Sequence, residues 1–156
     1  MVNDLAYELI QKLGQLNLTI SVAESLTGGL VAASLTQIPG ASAVFKGGII
    51  AYRDETKQQV LKVDPALITK FTSISEPVAQ CMAINIREIM NTDIGIATTG
   101  VAGPDKSEGF APGIVFVAIS IGDHNICQKL ELVGDRTQIR DQSVNAIFKL
   151  TLSQVV

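Results

Sequence analysis

Four short stretches of the chain combine nucleophilic, basic or cationic side chains with glycines and hydroxyls. The first runs from Ala23 to Gly29 (AESLTGG), and its Ser25 hydroxyl could attack a carbonyl carbon if a base removed the proton. The two glycines allow close backbone approach, and N–H groups at the start of a following helix could hold an oxyanion. Alternatively, Ser25 or Thr27 only caps the helix and the glycines only ease the turn.

The second stretch runs from Ala51 to Lys57 (AYRDETK) and offers a base for that serine. A lysine can accept a proton near neutral pH only where burial or nearby positive charge lowers its pKa. Most lysines on short helices are solvated, so the spacing alone leaves a surface role for Lys57 open.

The third stretch runs from Ala97 to Pro104 (ATTGVAGP) and groups hydroxyls with glycines. This composition suits a phosphate or a ribose, because it supplies hydroxyl donors and accessible backbone N–H groups. Ordinary turn chemistry accounts for the same residues equally well.

The fourth stretch, Gly134 to Arg140 (GDRTQIR), carries two arginines one helical turn apart. Arg136 and Arg140 lie near a predicted helix N-terminus, where the helix dipole disfavours cations. An anion bound between them would explain the arrangement, and two solvated arginines beside Asp135 and Asp141 are the alternative.

Two other polar features are assigned no chemistry. His124 lies in Gly122–Asn125, which is predicted to be an exposed hairpin tip. The loop carrying Asp105, Lys106 and Glu108 is rich in glycine and proline and is predicted to be a mobile lid.

Hydrophobic periodicity and turn signals predict the elements that position these stretches. Ser75 is the predicted N-cap of a long helix, and Asp135 with Gln138 forms the capping-box pattern of the last helix. The long helix has the predicted core face Ala79, Met82, Ala83, Ile86, Ile89 and Met90. Strands are predicted at 18–23, 44–52, 94–98, 114–121 and 126–133. Helices are predicted at about 5–17, after the turn 24–29 as far as 38, and at 65–71. Three further helices are predicted to start at about 54, after 75 and at 135.

Helices alternating with three strands, followed by a hairpin and a helix, predict one α/β domain with a mixed sheet covered on both faces. Ligands on such sheets bind at the carboxyl ends of the strands. The polar loops after Ala23, Ile50 and Ala97 are therefore expected to meet at one edge.

Composition restricts the classes of function. The chain of 156 residues is 47% hydrophobic and 17% charged, which fits one globular domain over residues 1–156. The net charge of −3 argues against nucleic-acid binding, and no signal peptide or apolar stretch of membrane-spanning length is recognised. Cys81 and Cys127 are read as packing residues of a cytoplasmic protein, and a single histidine cannot assemble a familiar zinc site.

The four stretches, in this order, resemble the CinA C-terminal domain family, whose enzymatic members are nicotinamide-nucleotide amidohydrolases. The matching segments are AESLTGG at 23–29, PGASAVFKGGIIAY at 39–52 with Lys57 beyond it, ATTGVAGP at 97–104, and GDR at 134–136. The resemblance implies a three-layer α/β/α domain with a mixed, mostly parallel five-stranded sheet. From the resemblance the protein is also expected to form a homodimer.

The resemblance also implies roles for individual residues. Ser25 would be the nucleophile and Lys57 its base, in hydrolysis of nicotinamide mononucleotide to nicotinic acid mononucleotide and ammonia without a metal or an organic cofactor. Tyr52 and Thr99 would be polar partners of the substrate, and Arg140 or Arg136 would lie at its phosphate. An anion-binding turn would be formed by Thr27, Gly28 and Gly29. The third stretch would contribute Gly100 and Gly103.

The chain departs from the family pattern at three places. Leu26 stands where a cysteine is frequent, Arg53 follows the tyrosine, and residues 111–115 (APGIV) replace the usual PVGTV. These departures leave a second reading open, in which the domain is a nucleotide-binding accessory module with weak or no catalysis. A purely structural role is a third reading, which leaves the clustered glycines and hydroxyls unexplained.

Overall fold

Five strands form one sheet in the computed structural model, which describes residues 3–156. The strands are β1 (Ile20–Glu24), β2 (Phe45–Ile50), β3 (Ile94–Gly100), β4 (Ile114–Ile121) and β5 (His124–Glu131), in the spatial order β2-β1-β3-β4-β5. β1 pairs in parallel with β2 and β3, whereas β4 is antiparallel to both of its neighbours. Every strand except β4 therefore points the same way, which confirms the mixed, mostly parallel sheet.

Helices cover both faces of this sheet. They are α1 (Asp4–Leu16), α2 (Leu30–Thr36), α3 (Asp54–Gln59), α4 (Pro65–Phe71), α5 (Glu76–Met90) and α6 (Arg136–Gln154). Side chains of α1, α2 and α6 share one buried cluster with one face of the sheet, and α5 packs across the other face with α4 against it. This confirms the three-layer architecture. Within residues 3–156, no helix has the length and apolar character needed to cross a membrane.

The helix boundaries follow their local sequence signals. The Ser75 side chain accepts a hydrogen bond from the Val78 N–H group at the start of α5. The Asp135 side chain accepts from the N–H group of Gln138, whose own side chain accepts from the N–H group of Asp135, so the predicted capping box is present. On α5 the predicted core face needs one correction, because Ile89 is 45% exposed. The buried stripe instead includes Val78.

The predicted strand-to-helix turn is confirmed, because Ser25 to Gly29 form a turn and α2 starts at Leu30. One predicted boundary was wrong. The hairpin tip is shorter than predicted and consists of Gly122 and Asp123, so exposed His124 is the first residue of β5, paired with Ile121. The positive φ of Gly122 suits the two-residue loop that joins β4 to β5.

Gly48 lets β2 lie against β1. A Cβ atom at this position would be 2.5 Å from Cγ2 of Val22 and 2.7 Å from its carbonyl oxygen. Two adjacent glycines within a strand, here Gly47 and Gly48, are typical of a bulge or a close backbone approach, and Gly48 makes the close approach. The pairing of β1 with β2 also has a register irregularity between Ile20 and Ser21.

The two cysteines lie in the predicted elements and are free thiols, Cys81 on α5 and Cys127 on β5. Both are partly buried against the α5 face of the sheet. Burial raises the pKa of the Cys81 thiol, and it raises that of Cys127 to about 12. Both thiols therefore stay protonated at neutral pH, as packing residues do.

Candidate active site

A cavity of about 400 Å³ lies at the carboxyl ends of β1, β2 and β3, where the sequence predicted that the polar loops would meet. It is bordered by the turn after β1, by α3, by the segment before α5 and by the loop between β3 and β4. Its lining residues are Ser25, Leu26, Tyr52, Asp54, Lys57, Ser73, Ile74, Thr99 to Asp105, Ser107, Glu108 and Arg136.

Ser25 begins the turn between β1 and α2. Its N–H group donates to the Thr98 carbonyl at 3.1 Å, and its own carbonyl accepts from the Gly28 N–H group at 3.0 Å. The Thr27 and Thr98 hydroxyls share a hydrogen bond of 2.8 Å, which ties this turn to the end of β3. The backbone of Ser25 is therefore fixed on both sides, while its side chain faces the cavity.

Lys57 is the only described residue of α3 that is fully buried, with 2% of its surface exposed. Its Nζ atom lies 3.1 Å from Oγ of Ser25, within hydrogen-bonding distance. The charged ammonium donates to the serine oxygen, and the neutral amine would accept the serine proton along the same line. The chain continues from α3 into the buried residues Leu61 and Val63, which hold this short helix against the body of the protein.

The surroundings of Lys57 disfavour its charged form. Burial lowers the pKa of the Lys57 ammonium, and the carboxylates of Asp54 and Glu108 partly offset this effect. The Asp54 Oδ1 atom is 4.0 Å from the lysine Nζ atom. A lysine with a lowered pKa next to a serine hydroxyl is an arrangement able to activate a nucleophile.

The N–H groups at the start of α2 are already occupied. The buried Glu24 carboxylate accepts from the Val31 N–H group at 2.9 Å and from the Ala32 N–H group at 3.1 Å. The helix start therefore binds an anion from its own chain, which satisfies its unpaired donors. The sequence prediction that these groups await a ligand overlooked Glu24, the second residue of the AESLTGG stretch.

Hydrogen bonds at Glu108 fix the loop between β3 and β4 to the segment before α5. The Glu108 carboxylate accepts from the Ser73 hydroxyl at 2.7 Å and from the Ser73 N–H group at 3.1 Å. The Ser73 carbonyl in turn accepts from the Thr99 hydroxyl at 2.8 Å. In this structure the predicted lid is thus held over the cavity by hydrogen bonds, and its mobility stays a prediction.

The two arginines of the fourth stretch have different positions. Arg136 lines the cavity, where its guanidinium donates to the carbonyl of Gly103 and, at 2.8 Å, to the Tyr52 hydroxyl. Arg140 lies outside the cavity lining and donates to the carbonyls of Leu26 and Thr27 at 3.1 and 2.8 Å.

Most of the predicted site residues are brought together. Ser25, Lys57, Tyr52, Thr99, Gly100, Gly103 and Arg136 line one cavity. Thr27, Gly28, Gly29 and Arg140 do not line it and form the wall behind Ser25, so their assignment to substrate binding stays a prediction. Sequence reasoning missed Ser73, Ile74 and Asp54 as lining residues. Only Asp54, one helical turn before Lys57, carried a signal that could have found it.

The chain thus combines a three-layer α/β fold with a buried serine–lysine pair at the strand ends. The chain belongs to the CinA C-terminal domain family, whose model matches residues 2–155. It is 46% identical over 148 residues to a protein of Bacillus thuringiensis (strain Al Hakam) provisionally named competence-damage inducible protein. That alignment covers 94% of this chain and 35% of the relative, so the chain spans about a third of the length of this relative.

Solved structures of the same superfamily have the same fold. A competence-damaged protein (CinA) superfamily protein of Enterobacter cloacae matches with a TM-score of 0.96 and 29% identity, over 100% of this chain and 93% of that one. The competence/damage inducible protein CihA of Agrobacterium tumefaciens matches with a TM-score of 0.92 and 31% identity, over 96% of this chain and 93% of that one.

Proposed function

We propose that this domain is an amidohydrolase that converts nicotinamide mononucleotide to nicotinic acid mononucleotide and ammonia. The observation that carries the proposal is the distance of 3.1 Å between Nζ of Lys57 and Oγ of Ser25, in a cavity where burial favours the neutral amine. The family resemblance supplies the substrate, and the cavity volume of about 400 Å³ lies in the usual range for small-molecule sites.

The proposed reaction has two halves. Neutral Lys57 takes the proton from Ser25 while Oγ bonds to the carboxamide carbon, which gives a tetrahedral oxyanion. The Lys57 ammonium then gives the proton to the amide nitrogen and the C–N bond breaks. Ammonia departs, and the acyl group remains bound to Ser25 as an ester. In the second half Lys57 deprotonates a water molecule that attacks the ester, and the serine oxygen leaves with the proton.

The Leu26 N–H group, which directly follows Ser25 in the chain, is a proposed oxyanion donor. Within residues 3–156 it has no hydrogen-bond partner, and Leu26 lines the cavity. Donors already fixed in place stabilise developing charge without reorganisation. Gly28 and Gly29, which belong to the predicted anion-binding turn, do not line the cavity and are not part of the proposed oxyanion site.

The charges of the cavity suit a zwitterionic nucleotide. Arg136 uses two of its N–H groups within the protein, and the guanidinium has others left for a phosphate. The carboxylates of Asp54, Asp105 and Glu108 line the same cavity and would face a positively charged pyridinium ring favourably. We propose that the phosphate binds at Arg136 and the nicotinamide ring lies near Ser25.

The experiment is release of ammonia from nicotinamide mononucleotide by the purified protein and by Ser25→Ala. The matched control is Ser34→Ala, because Ser34 is on α2, does not line the cavity and donates its hydroxyl to the Leu30 carbonyl. The proposal predicts release by the wild type and by Ser34→Ala, and only a small residual rate of release by Ser25→Ala. Folded wild-type protein that releases no ammonia would overturn it.

One observation favours a second candidate, a nucleotide-binding module without turnover. The chain spans only about a third of the length of the curated relative, so the family domain also occurs as part of longer proteins. Calorimetry that shows binding of the mononucleotide by a protein without turnover would support this alternative. Leu26 gives it little support, because its side chain is buried in the cluster shared by α2 and α6 and the departure from cysteine changes a packing residue.

Location and partners complete the proposal. A cytoplasmic location is supported by the two free cysteines, since reducing compartments keep thiols unpaired. The expected homodimer, and the expected absence of nucleic-acid and membrane partners, stay predictions.

A further inference from the structure

Arg140 contacts the backbone of the turn that carries the nucleophile. Its Nε atom donates to the Leu26 carbonyl at 3.1 Å and its Nη2 atom to the Thr27 carbonyl at 2.8 Å. We infer that Arg140 is a positioning residue that holds Ser25 toward Lys57, rather than a ligand of the substrate phosphate. The inference rests on the proposed function, because it assigns a role in the same reaction.

A short chain of bonds connects this guanidinium to Ser25. The Thr27 carbonyl and the Gly28 N–H group belong to one planar trans peptide unit, so fixing the direction of one fixes the other. That Gly28 N–H group donates to the carbonyl of Ser25 at 3.0 Å. Arg140 therefore orients the peptide unit that holds the nucleophile from one side, while Thr98 holds it from the other.

The side chain at position 140 suits this task in shape and charge. A planar guanidinium presents several donors in a rigid fork and can serve two successive carbonyls at once, which an ammonium point charge does less well. Within the described part of the chain no carboxylate oxygen lies within 4.0 Å of Arg140, so the carbonyl dipoles face its charge. A Cβ atom on Gly28 would lie 3.4 Å from Nη2 of Arg140, and the φ of +55° at this glycine is one that other residues rarely adopt.

Arg136, one helical turn earlier, is in the contrasting position. It lines the cavity, whereas Arg140 does not line the cavity and donates from Nε and Nη2 to backbone carbonyls behind Ser25. The two arginines are therefore expected to differ in the kinetic constant that each one controls.

The test compares two substrates, nicotinamide mononucleotide and nicotinamide riboside, which lacks the phosphate. Arg140→Met is expected to lower kcat by about 10- to 100-fold for both substrates with KM little changed, as for a misplaced reacting group. Arg140→Lys is expected to recover part of this loss, because one of the two carbonyl bonds can be remade. Arg136→Met is the matched variant and is expected to raise KM for the mononucleotide alone. Unchanged kcat in Arg140→Met, or a KM increase confined to the phosphorylated substrate, would overturn the inference.

Hydrogen exchange gives a readout that does not depend on activity. The Gly28 and Leu30 N–H groups donate to the Ser25 and Thr27 carbonyls, and both are expected to exchange faster in Arg140→Met than in the wild type. If the wild type releases no ammonia, the proposed function fails, but the exchange rates still test whether Arg140 holds the turn that carries Ser25. Unchanged exchange in folded protein overturns the inference. If Arg140→Met does not fold, Arg140→Lys serves for both measurements.

Discussion

The Nζ atom of Lys57 lies 3.1 Å from the Oγ atom of Ser25, although 32 positions of the chain separate the two residues. The parallel pairing of β1 with β2 creates this proximity, because it brings the turn after Glu24 beside the segment after Ile50. The lysine is buried and its charged form is disfavoured there. Both the activity and the pH dependence of stability are expected to reflect this pair.

Replacement of Lys57 by methionine is expected to stabilise the fold while abolishing its proposed chemistry. A buried cation is removed and a side chain of similar length fills the space, so the free energy of unfolding at pH 7 should rise by on the order of 1 kcal/mol. Urea denaturation measures it, with the exposed Lys149→Met as the control expected to be neutral.

The same variant should reveal the pKa of Lys57 through the pH dependence of stability. Because the folded-state pKa is below the ordinary 10.5, the unfolded chain binds more protons between the two values and wild-type stability rises with pH there. The advantage of Lys57→Met is therefore full below the folded-state pKa and fades as pH approaches 10.5. An advantage that is constant over this range would contradict the assignment.

Removing the charge of Asp54 is expected to move the pH–rate profile. The Asp54 carboxylate raises the pKa of Lys57, so Asp54→Asn lowers that pKa and shifts the acid limb of kcat/KM to lower pH. Glu55→Gln is the matched control, since exposed Glu55 pairs with Arg53 at 3.0 Å. An acid limb that stays in place or moves to higher pH in Asp54→Asn would be the opposite of this expectation.

The cavity arginine is expected to recognise phosphate. Arg136→Met should raise KM for nicotinamide mononucleotide by roughly 10- to 100-fold, the value of one charged hydrogen bond. Steady-state kinetics measure it beside Arg53→Met, a nearby exposed arginine that does not line the cavity. Equal KM increases for the mononucleotide and the riboside would show that Arg136 acts on the shape of the site instead.

Two glycines should respond oppositely to the same substitution. A Cβ atom at Gly95 on β3 would lie 2.2 Å from the Ala83 carbonyl of α5, so Gly95→Ala is expected to destabilise by about 1–3 kcal/mol. Gly14 in α1 has open space around it, and Gly14→Ala is expected to stabilise by about 1 kcal/mol. Thermal denaturation of both variants measures this, and a neutral Gly95→Ala would mean that α5 does not pack this closely.

The sequence predicted elements well where their signals are local. β4 and α4 lie within the predicted limits, because an apolar strand or a proline at a helix start is visible in a few residues. The capping of α2 was not predicted, because the side chain that accepts from the Val31 and Ala32 N–H groups belongs to Glu24, at the end of β1. Such a cap from a neighbouring strand leaves no regular spacing in the sequence.

The sequence predicted which residue types form the site, but not which of their side chains are buried or face the cavity. The four stretches contain most residues of the cavity, but not Ser73, Ile74 or Glu108. The sequence also left Lys57 between a solvated and a catalytic role, because its burial is set by the packing of α3 over distant segments. The two arginines are one helical turn apart and looked equivalent. Only the packing of α6 against the turn at Ser25 separates a cavity residue from a residue behind it.

The most direct test of the account is a double-mutant cycle on ammonia release from nicotinamide mononucleotide, with Ser25→Ala, Lys57→Ala and the double variant. If the two side chains act as one unit, the double variant should lose no more of kcat than Ser25→Ala alone. Lys57→Ala by itself should lose at least about 100-fold, the lower range for a missing general base. Losses that add fully in the double variant, or a Lys57→Ala variant with wild-type kcat, would contradict the serine–lysine pair.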